Sequence, residues 1–257
     1  MKRQIKKIAL LIIAILGVNY VNAQTDFSLH LGMLFPQGNF AESRMDNQNV
    51  AWLTKSNRAG AGLGFDAGMK FRFNVPSVKG LGIIATADFF LNMPNDDVKS
   101  WKEDIVDSYY EYSDLDEITI SLPHYINIPI MVGANYEYAI KNNIKVWAEA
   151  GLGLNIGTLT DFKMLAEFSD EGDYLEEKLE GSYQVNTSMA FQVGAGIMFN
   201  SKYSFGVHYY ELGSQKIKGK QFEDEIYNGE SINYDEWRFT GKSIVPGMLT
   251  IRLGYHF

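Results

Sequence analysis

The sequence contains no cysteine among its 257 residues. Disulfides therefore cannot stabilise the fold, and no thiolate can bind a metal, act as a nucleophile or carry a lipid. After residue 23, no stretch reaches the about 18 consecutive apolar residues that a membrane-spanning helix needs. Basic residues are also few, with 23 Lys and Arg against 31 Asp and Glu. This balance argues against nucleic acid as a partner, because phosphates demand a basic surface.

The first 23 residues have the pattern of a secretory signal. A positively charged start and an apolar run at residues 8–16 precede Val21 and Ala23, which suit a cleavage site before Gln24. The apolar run is too short to span a bilayer, so we expect it to be removed. The 23-residue signal holds four basic and no acidic residues, so its removal makes the exported chain more acidic than the net charge of −8 of the whole sequence. The sequence thus predicts a signal peptide at 1–23 and one domain at 24–257.

The last ten residues, Met248–Phe257, alternate strictly in polarity. The apolar positions are Leu249, Ile251, Leu253, Tyr255 and Phe257. The positions between them are mostly polar or small. Successive side chains of a strand point to opposite faces, so one face of this segment is apolar and the other is not. Ten residues is about the length of a tilted transmembrane β-strand.

Seven further stretches show the same two-residue alternation. They predict strands at Phe27–Phe35, Gly60–Phe73, Leu81–Asn92, Tyr125–Tyr138, Ile144–Ile156, Thr187–Phe199 and Tyr203–Tyr210. Short links follow the second, fourth and sixth strands, whereas links of more than 20 residues follow the others. Membrane barrels alternate short periplasmic turns with long extracellular loops in this way, and only a closed barrel satisfies strand backbones inside lipid. The predicted fold is all-β, an eight-stranded antiparallel transmembrane up-and-down β-barrel with both termini periplasmic.

Pro129 is the awkward residue in the fourth predicted strand. Proline cannot donate a hydrogen bond to the ladder, and it normally argues against a position inside a sheet. We expect a β-bulge at Pro129 to accommodate it.

The segment Leu122–Gly133, with the sequence L-P-H-Y-I-N-I-P-I-M-V-G, carries a family resemblance. It resembles the aromatic-x-x-Ile-Pro-aliphatic segment of Bacteroidota outer-membrane barrels, which are grouped as porin-like or PorT-family proteins. In architecture the chain is also similar to the small OmpX and OmpA barrels. The resemblance implies the outer membrane of a Gram-negative bacterium, with membrane lipid and the barrel-insertion machinery as partners. Tyr255 and Phe257 then match the terminal insertion signal of such barrels.

A set of ionisable residues falls on the inward side of the predicted strands. The set comprises Asp66, Lys70, Arg72, Asp88, Glu137, Lys145, Glu149, His208 and Arg252. An eight-stranded lumen is just wide enough for side chains to fill it, and an unpaired buried charge is costly. We interpret the set first as an ion-paired plug and second as the lining of a thin water path. Inward glycines leave room for Trp147 and Arg252, or for water.

Two long links, 93–118 and 158–184, hold most of the acidic excess. The simpler hypothesis is that these carboxylates keep the surface solvated. The sharper one is that they bind divalent cations, with Asp96, Asp97, Asp104, Asp170 and Asp173 as weak candidates. No stretch matches the calcium loop with its fixed glycine and closing glutamate. Asp96 and Asp97, together with residues 101–112, have the pattern of a short amphipathic helix above the barrel.

Catalytic signals are poor. The sequence has neither a G-x-S-x-G nucleophile elbow nor a His or Cys spacing typical of zinc sites, and it predicts no cofactor. We therefore expect a monomeric, non-enzymatic outer-membrane barrel with a structural or surface-interaction role through acidic extracellular loops. The alternatives are a narrow porin-like channel for ions or small solutes, and an accessory component of protein secretion.

Overall fold

The computed structural model describes residues 25–43, 58–112, 114–170 and 172–257. The predicted signal peptide lies outside these ranges. The strands are β1 (Thr25–Gln37), β2 (Ala61–Asn74), β3 (Leu81–Pro94), β4 (Leu115–Ser121), β5 (Tyr125–Lys141), β6 (Ile144–Leu159), β7 (Phe162–Asp170), β8 (Asp173–Tyr183), β9 (Asn186–Phe199), β10 (Tyr203–Glu211), β11 (Gln215–Tyr227), β12 (Glu230–Ile244) and β13 (Gly247–His256). One α-helix, α1, spans Asp96–Tyr109, and a short 3-10 turn spans Gly38–Phe40.

Eight strands close into an antiparallel barrel in the order β1, β13, β10, β9, β6, β5, β3, β2. The last strand, β13, pairs with the first, and Leu31 lies opposite Leu253 at that seam. All eight predicted strands coincide with these barrel strands to within three residues at either end. The predicted eight-stranded transmembrane barrel is therefore confirmed.

The outer surface of the barrel is apolar. Leu31, Leu152 and Leu253 are 68%, 67% and 66% exposed, whereas the inward Asp66 of β2 is only 2% exposed. An exposed apolar band of this size is unfavourable in water, but it matches the hydrocarbon core of a bilayer. The alternation thus correctly predicted an apolar outer face and a polar inner face of the barrel wall.

The long links fold into a second sheet, which the sequence analysis did not predict. Strands β4, β7, β8, β11 and β12 pair antiparallel in the order β12, β11, β8, β7, β4. They come from the links between β3 and β5, between β6 and β9, and between β10 and β13. We call this five-stranded unit the second sheet. The two-residue apolar alternation does not mark these strands, because charged residues fall on both of their faces, as Glu177 and Lys178 do in β8.

Helix α1 packs on the second sheet. The Asn95 side chain caps its first turn by accepting a hydrogen bond from the Val98 N–H at 3.1 Å. Trp101 joins a buried apolar cluster with Ile120 and Phe162 of the sheet. The helix predicted for Asp96, Asp97 and residues 101–112 is present, and it ends at Tyr109. Across the described residues, no helix has the length and apolar character needed to cross a bilayer.

The β-strand at Pro129 is regular, so the predicted bulge is wrong. Pro129 lies opposite Asn155 of β6 without a register shift. On its other side, β5 pairs with β3. Ala87 lies opposite Ile130 and Phe90 lies opposite Asn127, so the register is the same on both sides of Pro129, although the pairs between them are missing. The strand therefore tolerates the missing N–H by leaving a gap in the β3 ladder instead of inserting an extra residue.

An apolar cluster fills the end of the barrel that faces the second sheet. Leu34, Tyr125 and Met248 lie at the adjoining ends of three barrel strands and belong to this buried cluster. Phe90 and Tyr210 meet edge to face within it, with ring centroids 5.0 Å apart. This cluster, which we call the apolar plug, closes the lumen with hydrocarbon above the interior charges.

A charge on the outer surface tests whether the apolar band contacts lipid. We expect Leu31→Arg to lower the free energy of unfolding in phospholipid vesicles by about 2–4 kcal/mol, because Leu31 lies midway along β1. Ile232→Arg on the second sheet is the matched control, since Ile232 is 61% exposed. Its effect should stay within about 0.5 kcal/mol. Urea titration of both variants measures the difference, and equal losses would contradict a lipid-facing band.

Candidate functional site

The centre of the barrel interior is organised by Arg252. Its Nε lies 2.8 Å from Asp66 Oδ2, and Nη1 donates to the Tyr210 hydroxyl at 2.6 Å. Its Nη2 lies 3.5 Å from Asp88 Oδ1, and the same Asp88 oxygen is 2.6 Å from His30 Nε2. One guanidinium on β13 thereby joins carboxylates from β2 and β3. A charge in this position is held by several partners at once, as a buried ion requires.

A second interior group centres on Glu149 of β6. Its Oε2 accepts from Lys70 Nζ at 2.9 Å, and its Oε1 lies 3.0 Å from His208 Nε2. The Lys70 ammonium also sits 4.9 Å from the centre of the Trp147 ring. Attraction between a cation and a ring face adds to the ion pair.

The third group lies toward the barrel end opposite the apolar plug. Arg72 Nε contacts Glu137 at 3.1 Å, and its Nη1 contacts Asp26 at 3.3 Å. Glu137 also pairs with Lys145 at 3.2 Å. Here Lys145 keeps 35% of its side-chain surface exposed, so this end of the lumen reaches solvent.

The structure places all nine sequence-predicted lumen residues on barrel strands and gives each one a charged partner. His30, Tyr210 and Asp26 also contact this network, and they are not in the predicted set. Inward parity on β1 and β10 was the signal that could have found His30 and Tyr210. Gly32 explains how the large Arg252 fits, because a Cβ there would lie 2.9 Å from both Arg252 Cγ and Asp66 Oδ2.

Little open space remains among these side chains. A cavity of about 20 Å³, counted as space open to the centre of a water molecule, lies between Lys70, Trp147, Glu149 and Arg252. A smaller one of about 10 Å³ adjoins Arg72 and Glu137. One water needs roughly 10–15 Å³ on this measure. Each of the two spaces has room for about one water molecule and is too small for a solute.

The second sheet sorts its charges by face. Residues opposite each other on neighbouring antiparallel strands share a face. On one face, the first row consists of Met164, Leu179, Glu223 and Asp235. The next row on that face consists of Ala166, Glu177, Glu225 and Asn233. On the other face, the first row consists of Lys163, Glu180, Phe222 and Glu236. The next row on that face consists of Leu165, Lys178, Asp224 and Tyr234. We call the first the acidic face and the second the mixed face. Helix α1 covers part of the acidic face.

The candidate cation ligands fall on two separate elements. Asp96 and Asp97 lie in the first turn of α1, where Asp96 pairs with Lys99 at 2.9 Å, and Asp104 lies further along the helix. Asp170 and Asp173 face each other where β7 turns into β8. Within the described ranges, no group of three or more His, Asp or Glu side chains is arranged to hold a metal ion. Divalent cation binding therefore stays a prediction.

The predicted insertion signal lies at the end of β13. The Phe257 ring is 72% exposed. It stacks on Phe27 at 5.5 Å and meets Tyr255 edge to face at 4.9 Å. Recognition of Tyr255 and Phe257 by insertion machinery stays a prediction.

No protein-family model matches this sequence, and no curated protein sequence matches it. Solved structures with a similar fold include Neisserial surface protein A, at 11% identity over 92% of this chain and 99% of that chain, with a TM-score of 0.39. Ail, the attachment invasion locus protein of Yersinia pestis, is 11% identical over 91% and 99%, with a TM-score of 0.35. A major outer membrane protein from Thermus thermophilus is 10% identical over 91% and 100%, with a TM-score of 0.46. At these values the likeness concerns the fold alone.

Removing one partner of a buried pair tests the interior network. Glu149→Gln keeps the shape of the side chain but takes the carboxylate away from Lys70 and His208, so we expect a loss of about 3–5 kcal/mol in unfolding free energy. Lys70→Met combined with Glu149→Gln should lose less, because no unpaired ammonium remains. Glu180→Gln, which breaks the exposed pair with Lys163 at 3.7 Å, is the control and should cost at most about 1 kcal/mol. Equal losses from the two single variants would argue against a buried network.

Proposed function

We propose that this chain is a non-enzymatic outer-membrane protein of a Gram-negative bacterium that acts through its second sheet, with the barrel as anchor. The observation that carries the proposal is the filled interior. The apolar plug around Phe90 and Tyr210 lies above an ion-paired network centred on Arg252 and Glu149. Such packing supports the anchor proposal, because the spaces found among the described lumen residues are too small for a solute.

The topology supports an extracellular second sheet. Its three source links leave the same end of the barrel, whereas the short turns after β2, β5 and β9 leave the other end. Membrane barrels have their short turns in the periplasm, so both termini are periplasmic on this proposal. The closer assignment to Bacteroidota porin-like or PorT-family proteins rests on Leu122–Gly133 and the terminal strand, and no family model supports it.

The second candidate function is a narrow channel. It is favoured by the ionisable lumen lining and by the solvent-exposed Lys145. Conduction would require the apolar plug to move, because Tyr210, Phe90 and Leu34 are each fully buried. An accessory role in secretion has no specific feature of the described residues in its favour.

Conductance separates the anchor from the channel. The purified protein, inserted into a planar bilayer, should give no stable single-channel steps, since the spaces beside Glu149 and Glu137 are only about 20 and 10 Å³ in volume. A variant that thins the plug, Phe90→Ala, serves to show that insertion occurred if it produces transient current. Stable steps from the unmodified protein would remove the anchor proposal.

The absence of cysteine makes the orientation directly measurable. A membrane-impermeant maleimide should label Ile232→Cys on intact cells, because Ile232 is 61% exposed on β12. Val78→Cys, in the turn after β2 and 45% exposed, should be labelled only after the cells are lysed. The opposite pattern would place the second sheet in the periplasm and overturn the surface role.

A further inference from the structure

A cleft of about 670 Å³ lies between the end of α1 and strands β7 and β8 of the second sheet. Its walls include Tyr109, Glu111, Tyr112, Asp114, Phe168 and Glu177. This volume falls within the roughly 300–1,000 Å³ of ligand sites. We call it the outer cleft.

Three aromatic rings in mutual contact line the outer cleft. The ring centroids of Tyr109 and Tyr112 are 6.1 Å apart, and Phe168 lies 6.3 Å from the first and 6.5 Å from the second. Phe168 is buried, whereas Tyr112 is 60% exposed, so the Tyr112 ring is accessible to a ligand. Ring faces attract cations, with guanidinium groups preferred because they also stack.

The lining of the outer cleft also carries negative charge. Glu111, Asp114 and Glu177 are all acidic, and the described residues that line the cleft include no Lys, Arg or His. The Tyr109 hydroxyl donates to Glu177 Oε2 at 3.4 Å, which orients that carboxylate without neutralising it. The structure therefore combines ring faces and carboxylates, the two groups that recognise organic cations.

The strand register adds to the charge at Glu177. Glu225 lies directly opposite it on β11, and Glu223 is on the same face next to Asp235 of β12. Like charges facing each other destabilise a sheet. On the mixed face, by contrast, Lys220 pairs with Glu236 at 2.7 Å. Burial raises the pKa of Glu177, and the neighbouring carboxylates Glu225 and Glu223 raise that pKa further.

We propose that the outer cleft binds an arginine or lysine side chain of a basic polypeptide, with Glu177 as its ion pair and Tyr112 against its alkyl and cationic parts. The inference rests on the proposed surface function and names the chemistry of its partner. The acidic face extends past the cleft to Glu223, Glu225 and Asp235, so it matches a partner with several basic groups.

The lining argues for an organic cation over a metal ion. Calcium requires about six to eight oxygen ligands, whereas Tyr112, Phe168 and Leu175 supply mainly ring and hydrocarbon surface. A guanidinium uses both kinds of wall, because its plane stacks on a ring while its N–H groups donate to a carboxylate.

Titration with short peptides tests the proposal on the full chain in detergent micelles. The probes are acetyl-Gly-Arg-Gly-Arg-Gly amide, its citrulline counterpart, which has nearly the same shape without the charge, and arginine amide. We expect the arginine peptide to bind at least about fivefold more tightly than the citrulline peptide. Arginine amide should bind more weakly than the peptide, because it engages the cleft alone. Equal affinities for the arginine and citrulline peptides, or tighter binding of arginine amide, would overturn the proposal.

Variants locate the binding to the outer cleft. Glu177→Gln and Tyr112→Leu should each weaken the arginine peptide about two- to fivefold. Glu180→Gln on the mixed face is the matched control and should leave the affinity unchanged. Retention of the heat-sensitive gel migration of a folded barrel shows that each variant folds. Unchanged affinity in both cleft variants, or Ca²⁺ binding that both abolish, would contradict an organic cation site. The labelling of Ile232→Cys tests the surface function independently of either result.

The pH dependence provides a separate readout. Glu177 binds a cation only when it is ionised, and its raised pKa means that protonation begins at a higher pH than for an ordinary glutamate. Tyr109 stays neutral throughout, since burial followed by the charge of Glu177 raises its pKa to about 12. The groups around Glu177 are Tyr109 on α1, Glu223 and Glu225 on β11, and the cleft residues Glu111 and Asp114. As the pH is lowered from 8 to 4, affinity for the arginine peptide should therefore fall more steeply in the unmodified protein than in Glu177→Gln, and equal profiles would contradict the role of Glu177.

Discussion

The pairing of β13 with β1 is the contact on which the rest of this molecule depends. Ten residue pairs, from Ser28–His256 to Gln37–Gly247, join the two ends of the described chain and leave the barrel with no free edge. A strand edge in lipid would expose unpaired N–H and C=O groups at a cost of several kcal/mol each. Closure also fixes which side chains point inward. Every charge on the inward parity must then find its partner inside a narrow cylinder.

In the described ranges, the charged residues of the barrel interior are paired, whereas those on the acidic face of the second sheet are not. Inside the barrel, Arg252 and Lys70 each meet a buried carboxylate, and His30 lies against Asp88, so charge is matched at short range. On the acidic face of the second sheet, Glu177 and Glu225 face each other, and neither forms an ion pair with a described basic residue. A packed barrel that holds a surface with unmatched charge is suited to binding, because the partner supplies the missing cations.

The sequence was sufficient for the barrel because lipid imposes a two-residue rhythm. Leu249 to Phe257 follows that rhythm without exception, and all eight barrel strands were found in this way. Parity also identified Asp66 and Arg252 as inward residues. It could not say that they pair, since they lie 186 positions apart and only the register brings them together.

The second sheet could not be predicted in this way, because its strands lack the two-residue apolar rhythm. Strand β8 reads D-Y-L-E-E-K-L-E-G-S-Y, and its two faces carry Glu177 on one side and Lys178 on the other, so neither face is consistently apolar. The outer cleft was harder still, because Tyr109 and Phe168 come from different links and meet only through the packing of α1.

Cross-linking across the seam between β1 and β13 tests the central claim most directly. The chain lacks cysteine, so Leu31→Cys with Leu253→Cys places the only two thiols on opposite residues of the ladder. Paired strand residues lie about 4.5–5.5 Å apart at Cα, within the range of a disulfide. Oxidation of the folded protein in lipid should therefore form an internal disulfide, whereas Leu31→Cys with Leu249→Cys, four positions out of register, should not. Failure of the first pair to cross-link, or equal yields from both pairs, would contradict a closed barrel with this register.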